Sequence, residues 1–288
     1  MSDLSAKSLQ SYMSCLNRIK NKLMNDSDDC FLDAAKVVEW IEGQQYSLNT
    51  KKLYYIALVA ILSRKGEDKW AKCIEAYRTK MNSYNEQQQN IYENQEMNEK
   101  EKAKYCTWDE ILEVRQTLYG LVEDYWTYQD YMILCLYTMI PPLRLDFADM
   151  RVFEGKVDPE YKGNYLLYGK KKSVFVLQEY KTSAKYGKLE IPVSKELQGV
   201  LKYWRDTFAT DAQYLLFSRY GEPMNESCLG NAVRNLFMKH KNKPTGICMI
   251  RHAFVNKERS GESLLKKQQE TAKLMAHSLG MNVLYRRV

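Results

Sequence analysis

Histidine is scarce in this 288-residue chain, with three in all, and the seven cysteines (Cys15, Cys30, Cys73, Cys106, Cys135, Cys228, Cys248) include no C-x-x-C pair. Together these argue against a zinc site. The odd, scattered cysteines read as reduced thiols in an intracellular compartment. Neither G-x-x-x-x-G-K-[ST] nor G-x-G-x-x-G occurs, which disfavours an ATPase and a dinucleotide enzyme. H-E-x-x-H and G-x-S-x-G are also missing, against a zincin and a standard hydrolase. The longest apolar runs, 54–62 and 131–143, fall short of the roughly 20 residues of a bilayer span. Residues 1–10 lack the charged-then-apolar pattern of a secretory signal. With 45% apolar and 27% charged residues, the composition is that of a globular protein, not a disordered chain, collagen or coiled-coil rod.

The length allows about two domains with real cores. The net charge of +7 is unevenly spread: residues 1–104 carry 16 basic and 15 acidic side chains, residues 105–288 carry 27 and 21. This modest basic excess is compatible with nucleic-acid binding. The first 80 residues read as a four-helix bundle. Leu9, Met13, Leu16, Ile19 and Leu23 recur at helical spacing. A second helix is expected over 31–42 with Val37, Val38 and Ile41 apolar, its caps among the acidic residues of 26–29. A third, capped by Asn49 or Thr50, runs to Ser63 through Leu53, Ile56, Ala57, Ala60 and Ile61, and a fourth holds Trp70, Cys73, Ile74 and Tyr77. Residues 82–104 are polar and nearly devoid of large aliphatics, which predicts a solvated helix extension and then a linker.

Thr107 and Glu110 form a capping-box pattern, and helices are expected over 107–120 and 125–139. Short β-type segments at 165–168, 173–179 and 188–192, separated by Gly- and Lys-containing turns, predict a small antiparallel sheet. Helical patterns return at 195–208, 225–239, 248–259 and 266–276. Trp108, Trp126 and Trp204 lie among apolar neighbours and are expected in the core. The fold class is therefore α+β, mostly helical: a helical bundle followed by a mixed domain.

The residues able to do chemistry form a dispersed set. Arg144 follows two prolines in Ile140-Pro141-Pro142-Leu143-Arg144-Leu145-Asp146, where the preceding apolar helix must break. Lys181 lies in Tyr180-Lys181-Thr182-Ser183-Ala184-Lys185-Tyr186-Gly187, the expected hairpin turn. Arg251 and His252 lie in Cys248-Met249-Ile250-Arg251-His252-Ala253-Phe254, His277 in Met275-Ala276-His277-Ser278, and Tyr285 in Leu284-Tyr285-Arg286-Arg287. Taken singly each is ordinary: a surface arginine, a turn lysine beside Lys185 and Lys188, a structural histidine, one of 22 tyrosines. Their order is what matters. An Arg box, a hairpin Lys, an H/K-x-x-R box followed by His, a His box and a late Tyr make up the pattern of the tyrosine recombinases and phage-type integrases, which the chain resembles over about 105–288. Its wording is closest to integrases of large DNA viruses and their satellite viruses.

The resemblance implies that 1–81 is a helical core-binding domain gripping duplex DNA, 82–104 a polar linker and 105–288 the catalytic domain. It implies Tyr285 as nucleophile forming a 3′-phosphotyrosine, Arg144, Arg251 and His277 as transition-state stabilisers, Lys181 as general acid and His252 as structural support. It also implies a homo-oligomer, a tetramer on two DNA sites, acting inside the cell: in host cytoplasm or nucleus if viral. No metal or cofactor is called for. Phosphoryl transfer rests on positioning and electrostatics, and guanidinium forks suit the spread charge. Cys248 departs from the pattern, standing where relatives have His or Lys. Rival readings are a type IB-like topoisomerase, a DNA-binding relative without catalysis, and a helical interaction protein.

Overall fold

The computed structural model describes residues 4–24, 26–66, 68–94, 97–259 and 274–275. The chain divides into two compact units, Met1–Asn94 and Gln95–Val288.

Unit 1 is helical. Helix α1 (Ala6–Leu23) starts at Ser5, whose hydroxyl accepts the Ser8 N–H at 3.2 Å. Its apolar stripe is only partly used: Leu16 and Ile19 are buried, while Leu9 and Met13 are exposed. The segment 28–32 is a 3-10 turn that buries Phe31, and α2 (Ala34–Gly43) begins after it. Asp33 caps α2 by accepting the Lys36 N–H at 3.1 Å, so the cap lies later than the acidic residues at 26–29. Ser47, not Asn49 or Thr50, caps α3 (Leu48–Lys65), and Thr50 supplies the N–H it accepts. The buried face of α3 is Tyr54, Tyr55, Ala57, Leu58 and Leu62; of the expected stripe only Ala57 is fully buried. Apolar residues run nearly all round this helix, so periodicity alone could not choose a face. Hydroxyl partners identify it: Tyr55 donates to Glu42 at 2.8 Å, and Arg18 donates to the Tyr54 oxygen at 3.2 Å. Helix α4 (Ala71–Asn94) carries Cys73 and Tyr77 into the core. Tyr77 donates to the Phe31 carbonyl at 2.7 Å, which ties α4 to the 3-10 turn.

Unit 2 opens with the short α5 (Glu99–Lys102) and α6 (Trp108–Gly120). The Thr107 and Glu110 box forms: the hydroxyl accepts the Glu110 N–H at 3.2 Å and the carboxylate accepts the Thr107 N–H at 2.7 Å. Helix α7 (Tyr125–Thr138) is buried almost throughout its second half, from Met132 to Tyr137, and is the central element of this core. A four-stranded sheet follows: β1 (Arg151–Glu154), β2 (Tyr165–Tyr168), β3 (Val174–Leu177) and β4 (Leu189–Pro192), in the order β1-β2-β3-β4. β2, β3 and β4 pair antiparallel, as expected. β1 pairs parallel to β2, with Arg151 opposite Tyr165, which makes the sheet mixed. The sequence reading missed β1 because its partners are remote. Besides β2, it is held by Val152 N–H on the Gln213 carbonyl at 2.8 Å and a bridge to Tyr214.

Between β3 and β4 the chain makes a helical turn, α8 (Ser183–Tyr186), in place of a simple hairpin turn. Helices α9 (Lys195–Thr207), α10 (Glu226–Lys241) and α11 (Ile247–Arg259) complete the described fold. The helix expected over 266–276 lies outside the described residues except at Leu274 and Met275. Trp108 and Trp204 are buried, whereas Trp126 is half-buried with the Arg219 guanidinium 4.9 Å over its ring. All seven cysteines are free thiols. No helix among the described residues is long and apolar enough to cross a membrane, and no cluster of metal-binding side chains occurs among them.

Candidate active site

Two prolines stop α7 and create the first part of the site. Pro141 and Pro142 lack the N–H a helix needs, and the segment leaves as a turn pinned by Leu143, which is fully buried. Tyr137, on the last turn of α7, reaches forward to donate to the Arg144 carbonyl at 2.8 Å. The Arg144 N–H donates to the Asp146 carboxylate at 3.0 Å. The backbone of Arg144 is thus held on both sides while its side chain is half-buried.

The carbonyl freed at Pro142 has a specific partner. Arg251 Nη1, from α11, donates to it at 2.5 Å across 109 residues of sequence, and Nη2 donates to the Met275 carbonyl at 3.2 Å. Arg251 is 1% exposed and among the largest fully buried side chains in the protein. A guanidinium so placed keeps its charge in a low-dielectric setting, where fixed donors act most strongly. Asp146, which accepts the Arg144 N–H, belongs to the same turn. Burial pushes its carboxyl above the ordinary value, against the pull of the Arg144 N–H and of the Arg144 and Arg251 charges. Complete burial likewise drives the Tyr137 phenol well above its ordinary value, with the Asp146 charge adding to it.

Lys181 occupies the β3–β4 connection and is exposed. The loop that carries it is closed at its base. Tyr180 donates to the Gly187 carbonyl at 2.7 Å, and the Ser183 N–H donates to the Tyr180 carbonyl at 3.0 Å. Gly187 ends α8 at φ 66°, a conformation a side chain would strain. Burial first, then the Asp146 charge, raises the Tyr180 phenol above its ordinary value. The root of the lysine loop is joined to the arginine turn by Asn164, whose amide nitrogen donates to the Glu179 carbonyl at 2.8 Å and to the Asp146 carbonyl at 3.3 Å.

The Tn1549 transposon integrase, solved in complex with transposon right-end DNA, matches with a TM-score of 0.59 at 14% identity, over 99% of this chain and 90% of its own. XerH site-specific recombinase, solved bound to its difH substrate, matches with a TM-score of 0.53 at 12% identity, over 90% of this chain and 67% of its own. The fold is that of the tyrosine recombinases. No family model matches the sequence, and no curated protein does.

Within this recombinase fold the buried Arg251 guanidinium donates to the Pro142 carbonyl, two residues before Arg144, and the Asn164 side chain joins the arginine turn at Asp146 to the root of the Lys181 loop at Glu179. Cys248 lies on α11, exposed, one turn before the buried Arg251. His252 is 6% exposed. His277 and Tyr285 lie outside the described residues. The sequence reading gave no role to Tyr137, Asp146 or Asn164, which hold the arginine turn. The signal for Asp146 was a carboxylate two residues beyond an arginine; for Asn164 the sequence offers none, since its partners lie in two other segments.

Proposed function

We propose that this protein cuts and rejoins double-stranded DNA at specific sites through a 3′-phosphotyrosyl intermediate. The observation that carries this reading is the hydrogen bond from the buried Arg251 guanidinium to the Pro142 carbonyl in the turn of Arg144, with the Lys181 loop tied to that same turn through Asn164, inside a tyrosine-recombinase fold. In the proposed reaction the Tyr285 oxygen gives up its proton to water and attacks the scissile phosphorus. The bond from phosphorus to the 5′ oxygen breaks, and Lys181 passes a proton to that oxygen. Arg144, Arg251 and His277 neutralise the charge on the non-bridging oxygens. A phenol of pKa about 10 makes an ester that the released 5′ hydroxyl can attack, so rejoining is the same path reversed. His252 supports Arg251 from within the core.

The Tn1549 integrase and XerH were solved on DNA, which supports duplex DNA as the partner here. On this reading 1–81 grips the DNA, 82–104 joins the parts and 105–288 does the chemistry. A homotetramer on two DNA sites, working inside the cell, in host cytoplasm or nucleus if viral, completes the proposal. A nicked suicide duplex, drawn from sites selected out of random DNA, tests it. The wild type should become covalently attached, and Tyr285→Phe should keep DNA affinity but form no adduct. An adduct from Tyr285→Phe would assign the nucleophile elsewhere. Failure of the wild type to form any adduct on selected sites would leave a DNA-binding protein without catalysis.

A further inference from the structure

Asn164 stands immediately before β2, at the point where the β2–β3 ladder runs out: Tyr165 still pairs with Val176, and β3 ends at Leu177. Its side chain takes over from the ladder. The amide oxygen accepts the N–H of Gln178 at 2.9 Å and of Glu179 at 3.0 Å. The amide nitrogen donates to the Glu179 carbonyl at 2.8 Å and to the Asp146 carbonyl at 3.3 Å. Two donors and two acceptors are all that a carboxamide has. All four are spent, and on two segments only: the root of the Lys181 loop and the turn that carries Arg144. The backbone of Asn164 is fixed as well, its carbonyl accepting the Arg151 N–H at 3.3 Å and the Tyr161 hydroxyl at 3.4 Å. Gln178 adds a parallel stitch, donating to the carbonyls of Tyr161 at 2.9 Å and Gly163 at 3.2 Å.

We infer that Asn164 is a positioning residue that sets the general-acid loop against the arginine turn, an inference that rests on the recombinase reading above. Lys181 is two residues from Glu179, and Arg144 is two residues from Asp146, so one side chain joins the two backbones directly. Lys181 is exposed and its own side chain adjustable; what can be fixed before DNA arrives is where its backbone starts. That matters because displacement of a catalytic group by about 1 Å can cost about 100-fold in rate. Only asparagine suits the position. Aspartate would keep the two acceptor bonds but turn an oxygen towards the carbonyls of Asp146 and Glu179. Serine is too short to span both segments. With its amide fully spent on the protein, Asn164 has no hydrogen bond left for a base or phosphate, which separates this role from DNA contact.

The test uses the full chain under single-turnover conditions on two suicide duplexes, one ordinary and one with sulfur in place of the bridging 5′ oxygen. A thiolate leaves without a proton, so the sulfur substrate removes the need for the general acid. Asn164→Asp should slow cleavage of the ordinary duplex by about tenfold or more, leave DNA affinity unchanged, and lose most of that defect on the sulfur duplex. Combined with Lys181→Ala it should add little further loss on the ordinary duplex, because both changes act through one group. Asn164→Ala introduces no charge and repeats the comparison if the aspartate variant melts early. An equal defect on both duplexes, or a full additional loss beyond Lys181→Ala, would reduce Asn164 to support of the fold and overturn the inference. Normal cleavage by both Asn164 variants would overturn it too. A wild type that attaches to neither duplex would instead remove the recombinase reading, and the inference with it.

Discussion

Arg251 and Lys181, two members of the proposed site, sit at opposite extremes of exposure. Arg251 is 1% exposed and gives two nitrogens to backbone carbonyls; Lys181 stands exposed on a loop. The contrast follows from what each is proposed to do. Charge that spreads over the non-bridging oxygens is best met by donors fixed in advance in a low-dielectric wall, where no reorganisation is needed during reaction. A proton donor must reach a leaving oxygen on DNA, so its tip has to face outward while its root is held. On the proposed reading the arginine serves the core as well as the chemistry, and the lysine serves the chemistry alone.

Substitutions should separate the two. The largest effect is expected at Arg251. Arg251→Ala leaves the carbonyls of Pro142 and Met275 without these donors and should destabilise unit 2 by about 2–4 kcal/mol, with cleavage lost outright. Chemical denaturation beside the suicide-duplex assay measures both. Full stability in this variant would mean that the buried guanidinium contributes nothing to the fold, and the comparison would fail on that side.

Lys181→Ala should sharpen the other half. Cleavage is expected to fall by about 10²–10⁴-fold, the usual contribution of a general acid. Stability should move by no more than about 0.5 kcal/mol, as for an exposed side chain. Sulfur at the bridging position should restore most of the rate. A defect that persists on the sulfur duplex would show that Lys181 contributes charge rather than a proton.

The smallest effect is expected at Cys248, exposed on the same helix as Arg251. Cys248→His restores the residue type of the family pattern. One hydrogen bond at an exposed position is worth about 1 kcal/mol, so cleavage should stay level or rise by less than about tenfold. A fall of more than about tenfold in a folded variant, beyond what one such hydrogen bond accounts for, would give the thiol a role of its own.

Local signals were legible from the sequence, and long-range choices were not. The Thr107–Glu110 box, the proline break before Arg144 and the three antiparallel strands depend on neighbours in the chain or on a short turn, and each is read from residue type and spacing. The order of Arg144, Lys181 and Arg251 is likewise a property of the sequence. Three features depended on partners far along the chain. β1 exists because β2 and residues 213–215 flank it. The buried face of α3 is marked by hydroxyl bonds to Glu42 and from Arg18, where apolar periodicity was nearly uniform. Asn164 became the link between the lysine loop and the arginine turn only when β2 placed it between them. The sequence by itself determined which groups are available and which segments become helix or strand, because caps, breaks and alternation act over a few residues. Only the tertiary structure decided that a charged arginine would be buried against the carbonyl of Pro142 and that a polar asparagine would spend its whole amide on two backbones. Both arrangements carry a desolvation cost that is offset only when segments remote in sequence supply every partner at once.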